Sequence, residues 1–263
     1  MSYTTLLLTI ADGVAEITLN RPEKLNSFNP DMLRELHEVF QSIETDSTVR
    51  AVLITGAGRG FCAGQDLNVR QGQPGDKGEL VRKSLNDHFN PLIRRIHNLK
   101  KPVVAAVNGI AAGAGANLAL TCDIVIAAES ASFLQAFVNI GLIPDCGGTF
   151  YLPRLIGTAR AKAAALLGER ILAKQAADWG MIWKVVPDDQ LVAETRALAK
   201  RLAAGPSVAL GLIKQALDVS VNHDLDRQLN WERDAQGLAA MTTDFSEGVQ
   251  AFLEKRPAKF MGK

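Results

Sequence analysis

The chain has 263 residues, of which 47% are apolar and 22% charged, and its 29 basic and 28 acidic side chains leave a formal net charge of +1. This is the composition of an ordinary globular protein, and it gives no global electrostatic reason to expect nucleic acid or a membrane surface as a partner. The three widely spaced cysteines argue against a disulfide framework or a zinc site, and the start has no signal-peptide pattern, so we expect a cytoplasmic protein.

The first third of the chain predicts strands with one helix between them. Residues 3–10 and 14–19 flank Asp12 and Gly13, a strong hairpin signal. Residues 30–47 place apolar side chains at helical spacing behind Asn29, a good N-cap. Residues 51–55 form an apolar run that ends at a glycine, as expected of a strand buried on both faces.

The middle of the chain continues this alternation. Residues 71–83 are polar and glycine-rich, which predicts a mobile loop, and a helix should follow to about residue 98. Buried strands are predicted at residues 102–107 and 123–127, with a helix of small residues at 111–120 between them. Alternating strands and helices indicate an α/β fold with a largely parallel sheet.

After residue 147 the pattern becomes almost entirely helical. One short strand at residues 182–186 interrupts helices predicted at residues 149–155, 159–167, 173–179, 189–203, 207–221, 225–240 and 246–255. We therefore expect an α/β core over residues 1–200. A helical region over residues 201–263 is expected to cap a site or to mediate oligomerisation.

Two glycine-rich segments each follow a predicted buried strand: TGAGRGFCAGQDL at residues 55–67 and NGIAAGAGANLAL at residues 108–120. Ligands of open α/β sheets bind beyond the carboxyl ends of strands, and uncovered N–H groups at a helix start favour negative charge. The alternatives are a plain surface loop for the first segment and tight helix packing for the second. Neither is a dinucleotide-binding fingerprint, because Phe61 and Leu118 occupy the sixth positions.

A third segment, GLIPDCGGT at residues 141–149, places Asp145 at a turn ahead of a predicted helix. A carboxylate there can simply cap the helix or can carry chemistry, and the residue pattern leaves both open. Cys146 has no obvious base partner nearby in sequence, so we interpret it as a small buried residue.

Together with LNRPEKLNS at residues 19–27, WGMI at 179–182 and FLEKR at 252–256, these segments resemble the crotonase, or enoyl-CoA hydratase/isomerase, superfamily over essentially the whole chain. The resemblance implies a crotonase-like spiral β-sheet core with surrounding helices, an acyl-CoA thioester as substrate, and no separate cofactor or metal ion. It assigns the family's oxyanion hole, a pair of backbone N–H groups, to Gln65 and Ala114. A homotrimer or a dimer of trimers is the assembly it implies.

The resemblance also implies two groups of residues for coenzyme A. The group near its adenine and phosphates consists of Arg21, Lys24, Leu25, Ala63, Asp66 and Leu67. The C-terminal group, which reaches the coenzyme A of a neighbouring subunit, consists of Lys259, Phe260 and Lys263.

Departures from the family pattern bear on the reaction. Hydratases of the family add water with two glutamates, and those substrate-facing positions are Asn117 and Phe137 here. Asp145 occupies a position where several isomerases of the family carry their acid/base aspartate, and one carboxylate suffices to move a proton between two carbons. The motifs GRGFCAGQDL and LIPDCGGT resemble isomerases that convert ring-1,2-epoxyphenylacetyl-CoA to the seven-membered oxepin. Related members shift an enoyl-CoA double bond between positions 3 and 2.

The sequence therefore predicts an acyl-CoA isomerase with Asp145 as general acid/base, and two alternatives stay open. In the family's aryl-CoA dehalogenases an aspartate attacks the ring and forms an ester, but this chemistry needs a partnered histidine that the sequence does not place. A catalytically silent acyl-CoA-binding protein is permitted by the absent glutamates, although Asp145 speaks against it.

Overall fold

The computed structural model describes residues 3–70 and 75–263, and two β-sheets form its centre. Within these residues the strands are β1 Leu6–Ala11, β2 Val14–Leu19, β3 Ala51–Gly56, β4 Gly60–Cys62, β5 Val103–Val107, β6 Ile110–Ala112, β7 Ile124–Ala128, β8 Ser132–Leu134, β9 Arg170–Leu172 and β10 Lys184–Val186. The helices are α1 Pro30–Thr45, α2 Lys77–Ser84, α3 Asn90–Asn98, α4 Ala114–Thr121, α5 Gly148–Leu167, α6 Ala173–Asp178, α7 Leu191–Ala203, α8 Ser207–Ser220, α9 Leu225–Ala240 and α10 Thr243–Leu253.

The larger sheet has six strands in the order β1-β2-β3-β5-β7-β10. β1 and β2 form the predicted antiparallel hairpin, and every other pair of neighbours in this sheet is parallel. All five residues of β5 are buried, and α7 packs against both β3 and β5. The prediction of an α/β fold with a largely parallel sheet is confirmed.

The smaller sheet, in the order β4-β6-β8-β9, was not predicted. Each of its strands has only three residues, too few to show an alternating apolar pattern. Its strand β6 takes up the start of the helix predicted at residues 111–120, so that prediction is wrong at its beginning and α4 starts at Ala114. Parallel pairing of β4 with β6 brings the segments that follow these strands side by side.

Helix α2 begins inside the segment predicted as a mobile loop. The side chain of Asp76 caps it by accepting a hydrogen bond from the N–H of Glu79. The loop prediction is therefore wrong for residues 77–83, and residues 71–74 lie outside the described part of the chain. A π-helical turn, Leu85–Phe89, joins α2 to α3.

The C-terminal half is helical as predicted. Helix α5 combines two predicted helices across Gly157, whose φ of 74° breaks the helical geometry. The expected boundary after residue 200 falls within α7, and the helical region beyond it starts with α8. Lys214 ties α8 to the core, since its ammonium lies 3.0 Å from the Asp123 carboxylate. No helix within residues 3–70 and 75–263 is long and apolar enough to cross a membrane.

Candidate active site

In the segment after β4, the N–H of Gln65 points away from Phe28, the residue that pairs with Gln65. Phe28 pairs with Gln65 in an isolated parallel bridge. The Phe28 N–H donates to the Gly64 carbonyl at 2.8 Å, and the Asp66 N–H donates to the Phe28 carbonyl at 2.9 Å. Because these bonds engage the residues on either side of Gln65, its own N–H points to the opposite side of the strand.

The segment after β6 supplies a second N–H group. Gly113 adopts a φ of 52°, donates its N–H to the Leu134 carbonyl at 2.8 Å, and acts as the N-cap residue of α4. The first intrahelical hydrogen bond of α4 is the one that the Asn117 N–H donates to the Gly113 carbonyl. Ala114 is the first residue of the helix, so its N–H has no acceptor within the helix.

The residues that carry these two N–H groups line one pocket, because the two segments approach closely. A Cβ atom built on Gly64 would lie 3.6 Å from the Ala114 nitrogen and 2.9 Å from the Ala112 carbonyl oxygen. The pocket has a volume of about 130 Å³ and is lined by Ala63, Gly64, Gln65, Leu67, Gly113, Ala114, Ala136, Phe137, Ile140, Leu142 and Asp145. Asp145 is the one titratable side chain among these described lining residues.

Asp145 lies in a tight turn ahead of α5. Cys146 and Gly147 both have positive φ, 49° and 80°, and Gly147 is the N-cap residue of the helix. Asp145 therefore precedes the N-cap by two residues. Its carbonyl oxygen accepts hydrogen bonds from the Gly148 N–H at 2.9 Å and from Asn117 Nδ2 at 2.8 Å, which fixes the backbone of the turn.

The two positions that carry glutamate in hydratases differ in their placement. Phe137 lines the pocket and lies against Gly113. Asn117 was predicted to contact substrate, but its side chain is fully buried behind the pocket and bonds Asp145 and Gln135 instead. The structure thus shows Asn117 in contact with the Asp145 turn, and its contact with substrate stays a prediction.

The first predicted coenzyme A group has members at the pocket and others beside it. Ala63 and Leu67 line the pocket, and the Ala63 N–H donates to the Leu25 carbonyl at 2.9 Å. Arg21 lies 3.0 Å from the Asp66 carboxylate, and both side chains are largely buried. Burial would raise the pKa of Asp66, but hydrogen bonds from Arg21 and Asn68 outweigh it and hold that pKa below its ordinary value. The side chain of Lys24 is exposed.

The C-terminal group lies elsewhere on the chain. The Lys259 N–H donates to Glu247 at 2.7 Å, and the Phe260 carbonyl accepts from Arg50 at 3.0 Å. The Lys263 carbonyl accepts from the Asp244 N–H at 3.2 Å. In the single chain described here, none of these three C-terminal residues lines the pocket that contains Asp145.

The cysteines near the pocket are buried thiols. Burial raises the pKa of Cys62 to about 12. Burial also raises the pKa of Cys146, and the charge of the neighbouring Asp145 raises it further. Thiolates are therefore disfavoured at both positions. Among residues 3–70 and 75–263, no group of three or more His, Cys, Asp or Glu side chains is arranged to hold a metal ion.

Several residues of the site were not predicted from the sequence. Gln135 is buried and donates to Asn117, while Ala136, Ile140 and Leu142 line the pocket. Their position just before Asp145 in the chain was the available signal. Phe28, which orients Gln65, lies 37 positions earlier and offered none, because the bridge between them forms only in the folded chain.

Comparison with known proteins agrees with this architecture. The enoyl-CoA hydratase/isomerase family matches residues 9–263. The chain is 54% identical over 258 residues to 1,2-epoxyphenylacetyl-CoA isomerase of Escherichia coli, with 98% of each chain covered. It is 37% identical over 264 residues to crotonyl-CoA hydratase of Syntrophomonas wolfei, with 100% of each covered.

A solved structure confirms the predicted crotonase-like fold. Enoyl-CoA hydratase from Bacillus anthracis superposes with a TM-score of 0.94 at 37% identity, over 99% of this chain and 100% of that one. The relatives thus include both isomerases and hydratases. With the family match, the fold and the paired N–H segments in agreement, this chain belongs to the enoyl-CoA hydratase/isomerase family.

Proposed function

We propose that the protein is an acyl-CoA isomerase in which Asp145 is the general acid/base. The observation that carries the proposal is the composition of the pocket. It combines the N–H groups of Gln65 and Ala114 with a single carboxylate, and the hydratase glutamate positions hold Asn117 and Phe137. Water addition needs both a general base and a general acid, whereas isomerisation needs one group that removes a proton and returns it.

The reaction follows from this arrangement. The thioester carbonyl oxygen binds between the N–H groups of Gln65 and Ala114, and the Asp145 carboxylate removes a proton from the α carbon. The negative charge that develops on the carbonyl oxygen is stabilised by the two donors, each worth about 3–4 kcal/mol in comparable oxyanion holes. Asp145 then returns the proton at the γ carbon, and the double bond moves into conjugation with the thioester.

The ring epoxide of phenylacetyl-CoA is the acyl group that we propose first, with linear enoyl-CoA as the second. The support is the 54% identity to an isomerase with that name, together with an apolar lining of Leu67, Phe137, Ile140 and Leu142. Ring expansion to the oxepin is a net isomerisation, so it requires no added cofactor. Histidine is absent from the described lining of the pocket, which weighs against the ester-forming chemistry of aryl-CoA dehalogenases.

Coenzyme A is proposed to lie beside Arg21 and Lys24, and the exposed ammonium of Lys24 suits its phosphates. Lys259, Phe260 and Lys263 are proposed to reach the coenzyme A of a neighbouring subunit. Exposed apolar side chains on the C-terminal helices, such as Phe252 at 81%, support self-association. A homotrimer or a dimer of trimers is the assembly that we propose. The cytoplasm is the compartment that we propose.

A panel of thioesters tests this function. Purified protein is given ring-1,2-epoxyphenylacetyl-CoA, a 3-enoyl-CoA and a 2-enoyl-CoA, and oxepin formation, double-bond shift and hydration are followed by chromatography and mass spectrometry. We expect isomerisation to exceed hydration by at least about 100-fold in kcat/KM, since each missing acid/base group typically costs that much. Hydration as the fastest reaction on the panel would overturn the proposal, and binding without turnover of any thioester would support the silent binding protein.

A further inference from the structure

A buried chain of two side-chain amides lies directly behind the Asp145 turn. Asn117 Nδ2 donates to the Asp145 carbonyl oxygen at 2.8 Å, and Gln135 Nε2 donates to Asn117 Oδ1 at 2.8 Å. Asn117 is 0% exposed and Gln135 only 2%. Two hydrogen-bonded amides buried this completely hold a particular geometry, because each donor has a specific acceptor, while Gln135 Oε1 has no hydrogen-bond partner within the described residues.

The direction of this hydrogen-bond chain is fixed by its last acceptor. A backbone carbonyl can only accept, so Asn117 must present Nδ2 to Asp145 and is left with Oδ1 for Gln135. Gln135 then has to present Nε2. Each amide is therefore held in one orientation, and loss of the donor at either position interrupts the chain.

The same contacts tie the Asp145 turn to the helix that supplies an oxyanion donor. We call the hydrogen-bonded pair of Asn117 and Gln135 the clamp. Asn117 lies on α4 three residues after Ala114, so one helical turn separates the clamp from that N–H group. On the other side, a Cβ atom at Gly148 would lie 2.4 Å from Asn117 Nδ2, so the amide packs directly against the start of α5. Asp145 is thus held from α4 and from α5 at once.

We propose that Asn117 and Gln135 are positioning residues that set the distance of the Asp145 carboxylate from the bound thioester. This inference rests on the function proposed above. Asn117 occupies a position where hydratases carry a catalytic glutamate. Here it holds the turn of Asp145, which has the single carboxylate in the described lining of the pocket. Displacement of a reacting group by about 1 Å can cost about 100-fold in rate, so the clamp acts on kcat rather than on binding.

The Asn117→Asp substitution tests the clamp because it keeps the shape of the side chain. At alkaline pH the introduced carboxylate has no proton to donate to the Asp145 carbonyl, and at acidic pH its protonated form donates again. We expect kcat at alkaline pH to fall at least about 10-fold relative to wild type, and this ratio to recover as the pH is lowered. Asn117→Leu, which has no donor at any pH, should show the loss throughout. Affinity for a saturated acyl-CoA, which binds without isomerising, should change less than about 3-fold.

Two further variants make the test decisive. Gln135→Glu interrupts the same chain one bond further from Asp145 and should show the same pH-dependent loss of kcat. Thr121→Val is the matched control, since buried Thr121 donates to the Asn117 backbone carbonyl at 2.8 Å without touching the amide chain. It should lower stability and leave kcat close to wild type. Equal losses of kcat in Thr121→Val and Asn117→Asp would overturn the positioning role.

Asp145→Asn, measured alongside, separates the two claims. Wild-type turnover in Asp145→Asn overturns the proposed function itself. An inactive Asp145→Asn beside Asn117→Asp and Gln135→Glu variants that match wild type at every pH overturns only the positioning role.

Discussion

Phe28 and Gln65 form an isolated parallel β-bridge, with Phe28 bonded to the residues on both sides of Gln65 at 2.8 and 2.9 Å. This bridge orients the Gln65 N–H without using it. A backbone donor held in this way needs no reorganisation when charge develops on the substrate, which is the condition under which such donors are most effective.

The first prediction concerns Gly64, which makes the close approach of the two segments possible. Its φ is 91°, and an added Cβ would meet the Ala112 carbonyl oxygen at 2.9 Å. We expect Gly64→Ala to push the segments apart and to lower kcat by about 100- to 1,000-fold, the usual cost of losing an oxyanion donor. Steady-state kinetics on the best substrate measure this.

Gly237→Ala is the control for that substitution. Gly237 lies within α9, and a Cβ there has no heavy atom within 4 Å. Alanine should stabilise the helix slightly and leave kcat unchanged. Comparable kinetics for both alanine variants would contradict the geometry described for the oxyanion hole.

The N-terminal segment is held to α1 by one buried carboxylate. Glu35 is 2% exposed and accepts hydrogen bonds of 2.6–2.9 Å from the N–H and hydroxyl groups of Thr4 and Thr5. Burial would raise the pKa of Glu35, but these four donors outweigh it and hold the pKa below its ordinary value of 4.5. The stabilisation is therefore fully present above the unfolded-state pKa and is lost as the pH falls through the lower folded-state pKa.

Glu35→Gln is expected to lower the free energy of unfolding by about 2–4 kcal/mol at neutral pH, since a charged acceptor of several bonds is replaced by a neutral amide. As the pH is lowered, the free energy of unfolding of the variant should also decrease less than that of wild type. Urea denaturation from neutral pH to about pH 3 measures both effects. The control is Glu38→Gln, whose surface ion pair with Arg34 contributes little. An unchanged pH dependence in Glu35→Gln would contradict the assignment.

Site residues that lie within a sequence motif could be predicted, whereas contacts between residues far apart in the chain could not. Gln65, Ala114 and Asp145 each lie in a motif that follows a strand or precedes a helix, and the structure places all three in one pocket. Their catalytic roles stay predictions. The contact between Asn117 and Asp145 joins residues 28 positions apart and has no periodic signature, so the sequence could not show it.

The elements of the fold follow the same rule. The long buried strands and amphipathic helices carry clear patterns, and the larger sheet followed from them. The three-residue strands of the smaller sheet carry none, since their pairing is set by the elements around them. The start of α2 was missed because its cap, Asp76, lies in a polar stretch that was interpreted as a loop.

A further prediction separates Cys146 from the chemistry. Its thiol is buried beside Asp145, and burial together with that negative charge raises its pKa and disfavours the thiolate. We expect Cys146→Ser to keep kcat within about 5-fold of wild type, and the native protein to resist alkylation by iodoacetamide at neutral pH. A loss of turnover as large as that of Asp145→Asn would assign Cys146 a chemical role.

The proposed isomerisation requires the Asp145 carboxylate to move the proton, and the Asp145→Asn variant tests this requirement. Asparagine keeps the shape of the side chain but cannot accept the substrate proton. Turnover of ring-1,2-epoxyphenylacetyl-CoA and of a 3-enoyl-CoA is measured together with affinity for a saturated acyl-CoA. We expect kcat to fall by at least about 1,000-fold and the affinity to stay nearly unchanged. Turnover near that of wild type in the folded variant would contradict it.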